Sequence, residues 1–152
     1  MPTRVAARLV LLIPVALACS RGSTPPSSPL SVAGSWVQGA RLQDAANGQT
    51  HIHSGYFSFA QRGDAFTGRG QQSGLCEAAT GNYEGPLATG AEFQIVDGVQ
   101  HGASVSFKTA MCTYQGLVSA DGLHIDGTAT CSYTDKGVQF NWQGDWLAQR
   151  ER

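Results

Sequence analysis

The stretch from Cys112 to Cys131 leaves the chain the least freedom. Asp121-Gly122 lies at its centre, flanked on both sides by alternating residues. A two-residue Asp-Gly loop, both of whose positions tolerate φ > 0, reverses an antiparallel pair tightly. That loop pairs Val118 with Ile125, Gly116 with Gly127, Tyr114 with Ala129 and Cys112 with Cys131, all on one apolar face. The other face pairs Ser119 with His124, Leu117 with Asp126, Gln115 with Thr128 and Thr113 with Thr130, and it is mainly polar. A three-residue loop, Ala120-Asp121-Gly122, mixes the two faces, so alternation selects the shorter one. The selected register sets Cys112 directly opposite Cys131, within disulfide reach. Such a bond closes a loop of about 20 residues and stabilises by roughly 3 kcal/mol on the chain-entropy estimate.

The same alternation, punctuated by turn residues, divides the rest of the chain into short strands. They begin at Gly34-Ser35-Trp36-Val37, then Thr50 to Gln61 and, after the turn Arg62-Gly63-Asp64, Ala65 to Arg69. Asn82–Leu87, Ala91–Val96, Ala103–Lys108, Cys112–Val118, Leu123–Cys131 and Val138–Gln149 complete the set. Charged residues make up only 14% and glycine is frequent at 19 of 152, a balance that suits a sheet with many turns. Four aromatics are followed two residues later by glycine, at Phe66-Gly68, Tyr83-Gly85, Tyr114-Gly116 and Trp142-Gly144; Ile125-Gly127 is an aliphatic version. Glycine beside a large ring on one strand face lets a sheet coil sharply. The expected fold is therefore all-β, a small antiparallel up-and-down barrel of about eight strands over residues 32–152.

The N-terminus carries an address. Arg4 and Arg8 precede the apolar run Leu9–Ala18, which is followed by Cys19 and a polar stretch rich in serine and proline. A basic start, about ten apolar residues and small residues at a cut form a secretory signal over 1–18. Ala18-Cys19 followed by a Ser/Pro linker over 19–31 resembles a bacterial lipoprotein signal. The resemblance implies an acyl anchor on Cys19 and a domain held off a membrane in the cell envelope, facing periplasm or exterior. Ala16 departs from the larger aliphatic residue that family prefers, and Ala16-Leu17-Ala18 also reads as an ordinary secretion site. Either reading cuts after Ala18 and delivers the protein to an oxidising compartment, where Cys112 and Cys131 should join. Removing Arg4 and Arg8 leaves eight basic against eleven acidic residues. That mild acidity argues against a nucleic-acid partner. Cys76 is then an odd thiol, inert in a core, linking two molecules, or bonded to an unlipidated Cys19.

Gly34-Ser35-Trp36 at the first strand and Gly144-Asp145-Trp146-Leu147-Ala148-Gln149-Arg150 at the last resemble the ends of lipocalin and avidin-type (calycin) barrels. The resemblance implies that Trp36 plugs one barrel end and that Arg150 packs across it. It brings no ligand-binding residues with it.

Catalytic signatures are missing: Gly102-Ala103-Ser104-Val105-Ser106 lacks the second glycine of a nucleophile elbow, and phosphate or calcium loops are absent. Asp121, Asp126, Asp135 and Asp145 fit turn and surface roles. His51-Ile52-His53 has metal-ligand spacing, with His101 or His124 as a third ligand. If Ile52 faces the core, however, both imidazoles face solvent and no metal site forms. The expectation is a non-catalytic binding protein without a cofactor, its partners a membrane through the acyl chain and a small apolar ligand or an envelope protein. Phe57, Phe59, Phe66, Tyr83, Phe93, Phe107, Tyr114, Phe140 and Trp142 are the candidate ligand-lining rings. Packing density near 0.74 leaves a domain of this length more readily filled than hollow. The alternative is a protein-binding module, such as a periplasmic enzyme inhibitor or an envelope assembly factor, working through loops or a sheet edge.

Overall fold

The computed structural model describes residues 30–46, 48–78, 81–82, 92–135 and 137–152, with only the backbone for 73–78, 81–82 and 135. The signal segment 1–18, Cys19, Tyr83 and most of the expected strand Asn82–Leu87 lie outside the described residues.

Strands run β1 (Gly34–Asp44), β2 (Thr50–Arg62), β3 (Ala65–Ala78), β4 (Gly81–Asn82), β5 (Glu92–His101), β6 (Ser104–Lys108), β7 (Cys112–Val118), β8 (His124–Asp135) and β9 (Val138–Arg150). Among the described residues there is no helix. All pairings are antiparallel. The order β2-β1-β9-β8-β7-β6-β5-β3 returns on itself through β2–β3, so eight strands close a barrel. β4 is a short extension on the end of β3. Closure removes the exposed sheet edges that would otherwise template pairing between molecules.

The Cys112–Cys131 hairpin has the expected register, Val118↔Ile125 through Cys112↔Cys131. The two cysteines form a disulfide with Cα atoms 4.0 Å apart. The turn differs from the expected two-residue form. Its last ladder contact is Ser119 N to His124 O, and a second turn closes inside it from Gly122 N to Ser119 O at 2.9 Å. Only Gly122 takes positive φ, at 71°. Asp121 serves instead through its carboxylate, accepting from Ser119 Oγ at 2.5 Å and Leu123 N at 3.0 Å. A four-residue loop with side-chain support thus keeps the same facing pairs.

Several strands are longer than the alternation suggests. β1 continues to Asp44 and β3 to Ala78; the inward set of β1 there mixes polar Gln38 and Asp44 with small Ala40 and with Leu42, and β3 turns Gly70 and Gln72 inward, so the apolar period is interrupted. β5 carries an irregularity between Val96 and Val99, where Asp97 adopts φ 54°. The extra residue turns Ile95, Gly98 and Gln100 to the inside despite their mixed parity.

The middle of the barrel is filled by aromatic rings. Phe57 meets Phe107 at 5.4 Å and Tyr114 at 5.6 Å between ring centres, edge to face. Phe59 meets Phe66 at 5.0 Å, and Phe107 stacks on Tyr114 at 4.7 Å. Trp146 closes the group against Phe57, Phe107 and Tyr114. Five of the candidate ligand-lining rings, Phe57, Phe59, Phe66, Phe107 and Tyr114, therefore pack on one another as core.

One barrel end is plugged. Trp36 is fully buried and donates from Nε1 to Val32 O at 2.8 Å. The guanidinium of Arg150 lies 4.4 Å over its ring. Arg150 also donates to Gly122 O at 3.0 Å and to the carbonyls of Ala33 and Ser31. The cation thus ties together the N-terminal segment, the β7–β8 turn and the last strand.

Candidate functional site

The two barrel ends treat buried polar groups in opposite ways. At the plugged end Gln100, 3% exposed, is fully engaged. Its Oε1 accepts from Gln61 Nε2 at 2.9 Å and Val32 N at 3.2 Å, and its Nε2 donates to Gly102 O and Leu30 O. From the middle towards the other end, eight buried polar atoms of the described residues have no partner: both nitrogens of His53, Nε2 of His51, both amide atoms of Gln38, Oε1 of Gln72, Nε1 of Trp142 and the hydroxyl of Tyr114. The tryptophans make the same contrast. Trp36 and Trp146 donate to carbonyls, the latter to Gln115 O at 3.0 Å, whereas the Trp142 N–H points at nothing.

These groups are gathered by register. β2 runs without a slip against β3 from Thr50 to Arg62, so its odd-numbered positions keep one face throughout. Phe57 and Phe59 are inside, and His51 and His53 therefore are too, 1% and 2% exposed, while Ile52 is 37% exposed. This reverses the expected orientation of His51-Ile52-His53. The parity of Phe57 and Phe59 carried the signal, since residues two apart share a face. Gln38 on β1 and Gln72 on β3 both pair with Gly55, so the two amides flank one bare backbone position. His53 pairs with Ala40 and Gly74, and His51 with Leu42 and Cys76.

The His51 and His53 rings lie 5.1 Å apart, and His51 meets the Trp142 ring edge-on at 5.3 Å. Phe140 stacks over Trp142 at 6.5 Å and over Tyr133 at 5.1 Å, extending an aromatic wall beside the imidazoles. Burial pushes His53 down to about 3, with the neighbouring His51 adding to the effect, and burial lowers His51 as well. Both imidazoles are neutral at physiological pH, each offering one donor and one acceptor. Burial raises the Tyr114 hydroxyl out of any physiological range. Asp44 caps this end of β1, its carboxylate accepting from Ala46 N at 2.7 Å.

Among the residues singled out from sequence, Trp142 and Phe140 stand at this site. Phe93 is half-buried and packs against Phe57 at 6.2 Å, towards the aromatic middle. His101 and His124 do not join the other two histidines: His101 is exposed and lies 3.5 Å from Asp64, at the plugged end. Gln38 and Gln72 carried no sequence signal, because an inward glutamine reads as a solvent-facing one.

Fold and site together define a small closed antiparallel barrel, plugged at one end and lined towards the other by unpaired neutral polar groups beside an aromatic wall. No protein-family model matches the sequence, and no curated protein matches it. Among solved structures it is similar to an S-type phycobiliprotein lyase from Guillardia theta, with a TM-score of 0.46 and 11% identity over 79% of this chain and 88% of that one.

Proposed function

We propose that the protein is an exported, lipid-anchored, non-catalytic binding protein of the cell envelope that takes a small neutral ligand into the end of the barrel opposite the Trp36 plug. The observation that carries the reading is the set of orphaned donors and acceptors on His51, His53, Gln38, Gln72 and Trp142. Each buried polar atom left unpaired costs about 1–3 kcal/mol. A fold that satisfies every polar atom of Gln100 at one end and few at the other is arranged for a guest at the second. No described cationic side chain joins this cluster, so it suits a neutral molecule with hydroxyl or amide groups over a charged one. The rings of Trp142, Phe140 and Tyr133 suit a flat apolar body. This narrows the purely apolar ligand expected from sequence to an amphipathic one.

The test uses the full chain purified from envelope, denatured and extracted, with the extract read by mass spectrometry. The expected result is a small molecule in near-stoichiometric amount that restores quenching of tryptophan fluorescence when added back to stripped protein. Ordered water at all of these atoms, with nothing extractable, would overturn the reading. Intact mass of the mature chain tests the anchor: cleavage after Ala18 with acyl mass on Cys19 is expected, and an unmodified Cys19 removes the membrane as a partner.

A second reading, a protein-binding module, rests on the outer wall. Leu117 and Leu147 are 60% and 56% exposed. They flank the exposed Asp126 in register, so two leucines bracket one carboxylate across β7, β8 and β9. Capture of one envelope protein by the wild type, lost in Leu117→Ser/Leu147→Ser with ligand binding intact, would favour this reading over the first.

A further inference from the structure

We propose that the guest carries a primary carboxamide at one end and a flat ring body at the other, and that it enters the barrel carboxamide first. The inference rests on the reading above, that a small neutral molecule occupies the barrel, and it names the chemistry and the direction of that molecule.

The head group follows from Gln38 and Gln72. Gln38 on β1 and Gln72 on β3 both pair with Gly55 of β2, so they stand on one row of the inner wall. They are 1% and 5% exposed. Nε2 and Oε1 of Gln38 and Oε1 of Gln72 are all unpaired. Gln38 Nε2 and Gln72 Oε1 are thus a matching donor and acceptor that do not reach each other. Gly55 puts no side chain between them, and none fits, because a Cβ there would fall 1.9 Å from Gln71 O. The row lacks one acceptor, for Gln38 Nε2, and two donors, for the two Oε1 atoms. A primary carboxamide supplies that set in one plane. Its C=O and one N–H make a two-bond pair with Gln38, as carboxamide side chains do with the donor–acceptor edge of adenine, and its second N–H is left for Gln72. A ketone or ether has no donor to give. A carboxylate has none either, and it would bring a charge into a wall whose buried polar set contains no lysine or arginine.

The direction follows from register. Outward from the plug, the inward residues of β1 are Trp36, Gln38, Ala40, Leu42 and Asp44. Gly55 pairs with Gln38, His53 with Ala40, His51 with Leu42, and Trp142 with Asp44. The two amides therefore lie deepest, the neutral imidazoles come next, and the Trp142 ring is nearest the mouth. Six residues of strand span about 20 Å, or about 15 Å of depth at the usual barrel tilt. A guest entering rings first would press an apolar surface on Gln38 and Gln72 and leave three polar atoms unpaired. Carboxamide first pairs all three and lays the ring body towards Trp142.

The test compares two probes of the same shape on the full chain, stripped of bound molecules by denaturation and refolded. One is para-phenoxybenzamide. The other is para-phenoxyacetophenone, which keeps the carbonyl and replaces the amide nitrogen by a methyl group. Calorimetric titration should show one amide bound per chain, at least about 30-fold more tightly than the ketone, since the ketone leaves two buried acceptors without donors. Gln38→Leu should weaken the amide and remove most of this preference. A readout that needs no core substitution is the pose: nuclear Overhauser effects should join the amide-bearing ring to the Gln38 side chain and the terminal ring to the Trp142 indole. Equal affinity for the two probes, or binding of neither, overturns the carboxamide assignment, and the reversed set of Overhauser effects overturns the direction. Both failures are distinct from failure of the underlying reading, which is decided by whether envelope-purified protein yields any small molecule at all.

Discussion

The residue that bears most on function is His53. It holds two unpaired nitrogens within a packed wall, which costs stability that an apolar side chain of similar volume would not. His53→Leu is expected to stabilise the ligand-free protein by about 1–3 kcal/mol in urea denaturation at pH 7, while binding of the small ligand is lost. Destabilisation instead would show that those nitrogens are paired in solution. Acidity should separate the two proteins further. An unfolded chain protonates its histidines near 6.5, whereas folded His53 resists down to about 3. Between these values the unfolded state holds more protons, so stability falls as pH falls through that window and is unaffected above it. The slope approaches about 1.4 kcal/mol per pH unit per buried imidazole. Comparing urea midpoints at pH 7 and pH 5 should show a smaller acid loss in His53→Leu than in the wild type, with the carboxylates common to both cancelling.

At the level of elements, the β7–β8 hairpin is the best-specified unit. Its disulfide spans a sequence separation of 19 and joins strands already in register. Cys112→Ala/Cys131→Ala should lower stability by about 3 kcal/mol, mainly through the freedom returned to the unfolded chain. Gly122 holds φ at 71°, so Gly122→Val should cost about 1–2 kcal/mol while leaving the ladder partners unchanged by NMR. Gly127 acts differently. A Cβ there would fall 2.0 Å from Gln115 O and 2.6 Å from Trp146 Nε1, the donor that Gln115 O accepts. The ring covering Gly116 and Gly127 is thus Trp146 from β9, not Tyr114 or Ile125 two residues earlier on their own strands. Aromatic-x-glycine spacing pointed to a coiled sheet, but the covering ring at this pair of glycines arrives from a different strand.

For the whole molecule, closure depends on the seam between β1 and β9 and on what is tied across it. Arg150 bonds three separate carbonyls and stacks on Trp36. Arg150→Met keeps the aliphatic stem but leaves those carbonyls without their donor. It is expected to destabilise by about 2–3 kcal/mol and to raise amide hydrogen exchange in Ser31–Trp36 well before the β7–β8 hairpin exchanges. Uniform exchange across both regions would show that the plug is not a separate unit of stability. The opposite end has no such clamp among the described residues, which matches its place as the end with unpaired polar groups.

Alternation, turn chemistry and cysteine placement are local properties, and they were enough to determine an all-β chain, the Cys112–Cys131 register and a barrel of about eight strands. They failed where the interior is polar. β1 past Val37 and β3 past Arg69 turn Gln38, Asp44, Gly70 and Gln72 inward, which breaks the apolar period that marks a strand and leaves Ala40 and Leu42 too little to carry it. The direction of His51 and His53 was decided by closure of β2 against β1 and β3, which holds parity from Phe59 back to His51 within one unbroken strand of 13 residues. Sequence shows which residues alternate. Only a sheet curled shut decides which alternate set is enclosed, because enclosure comes from strands far apart in the chain.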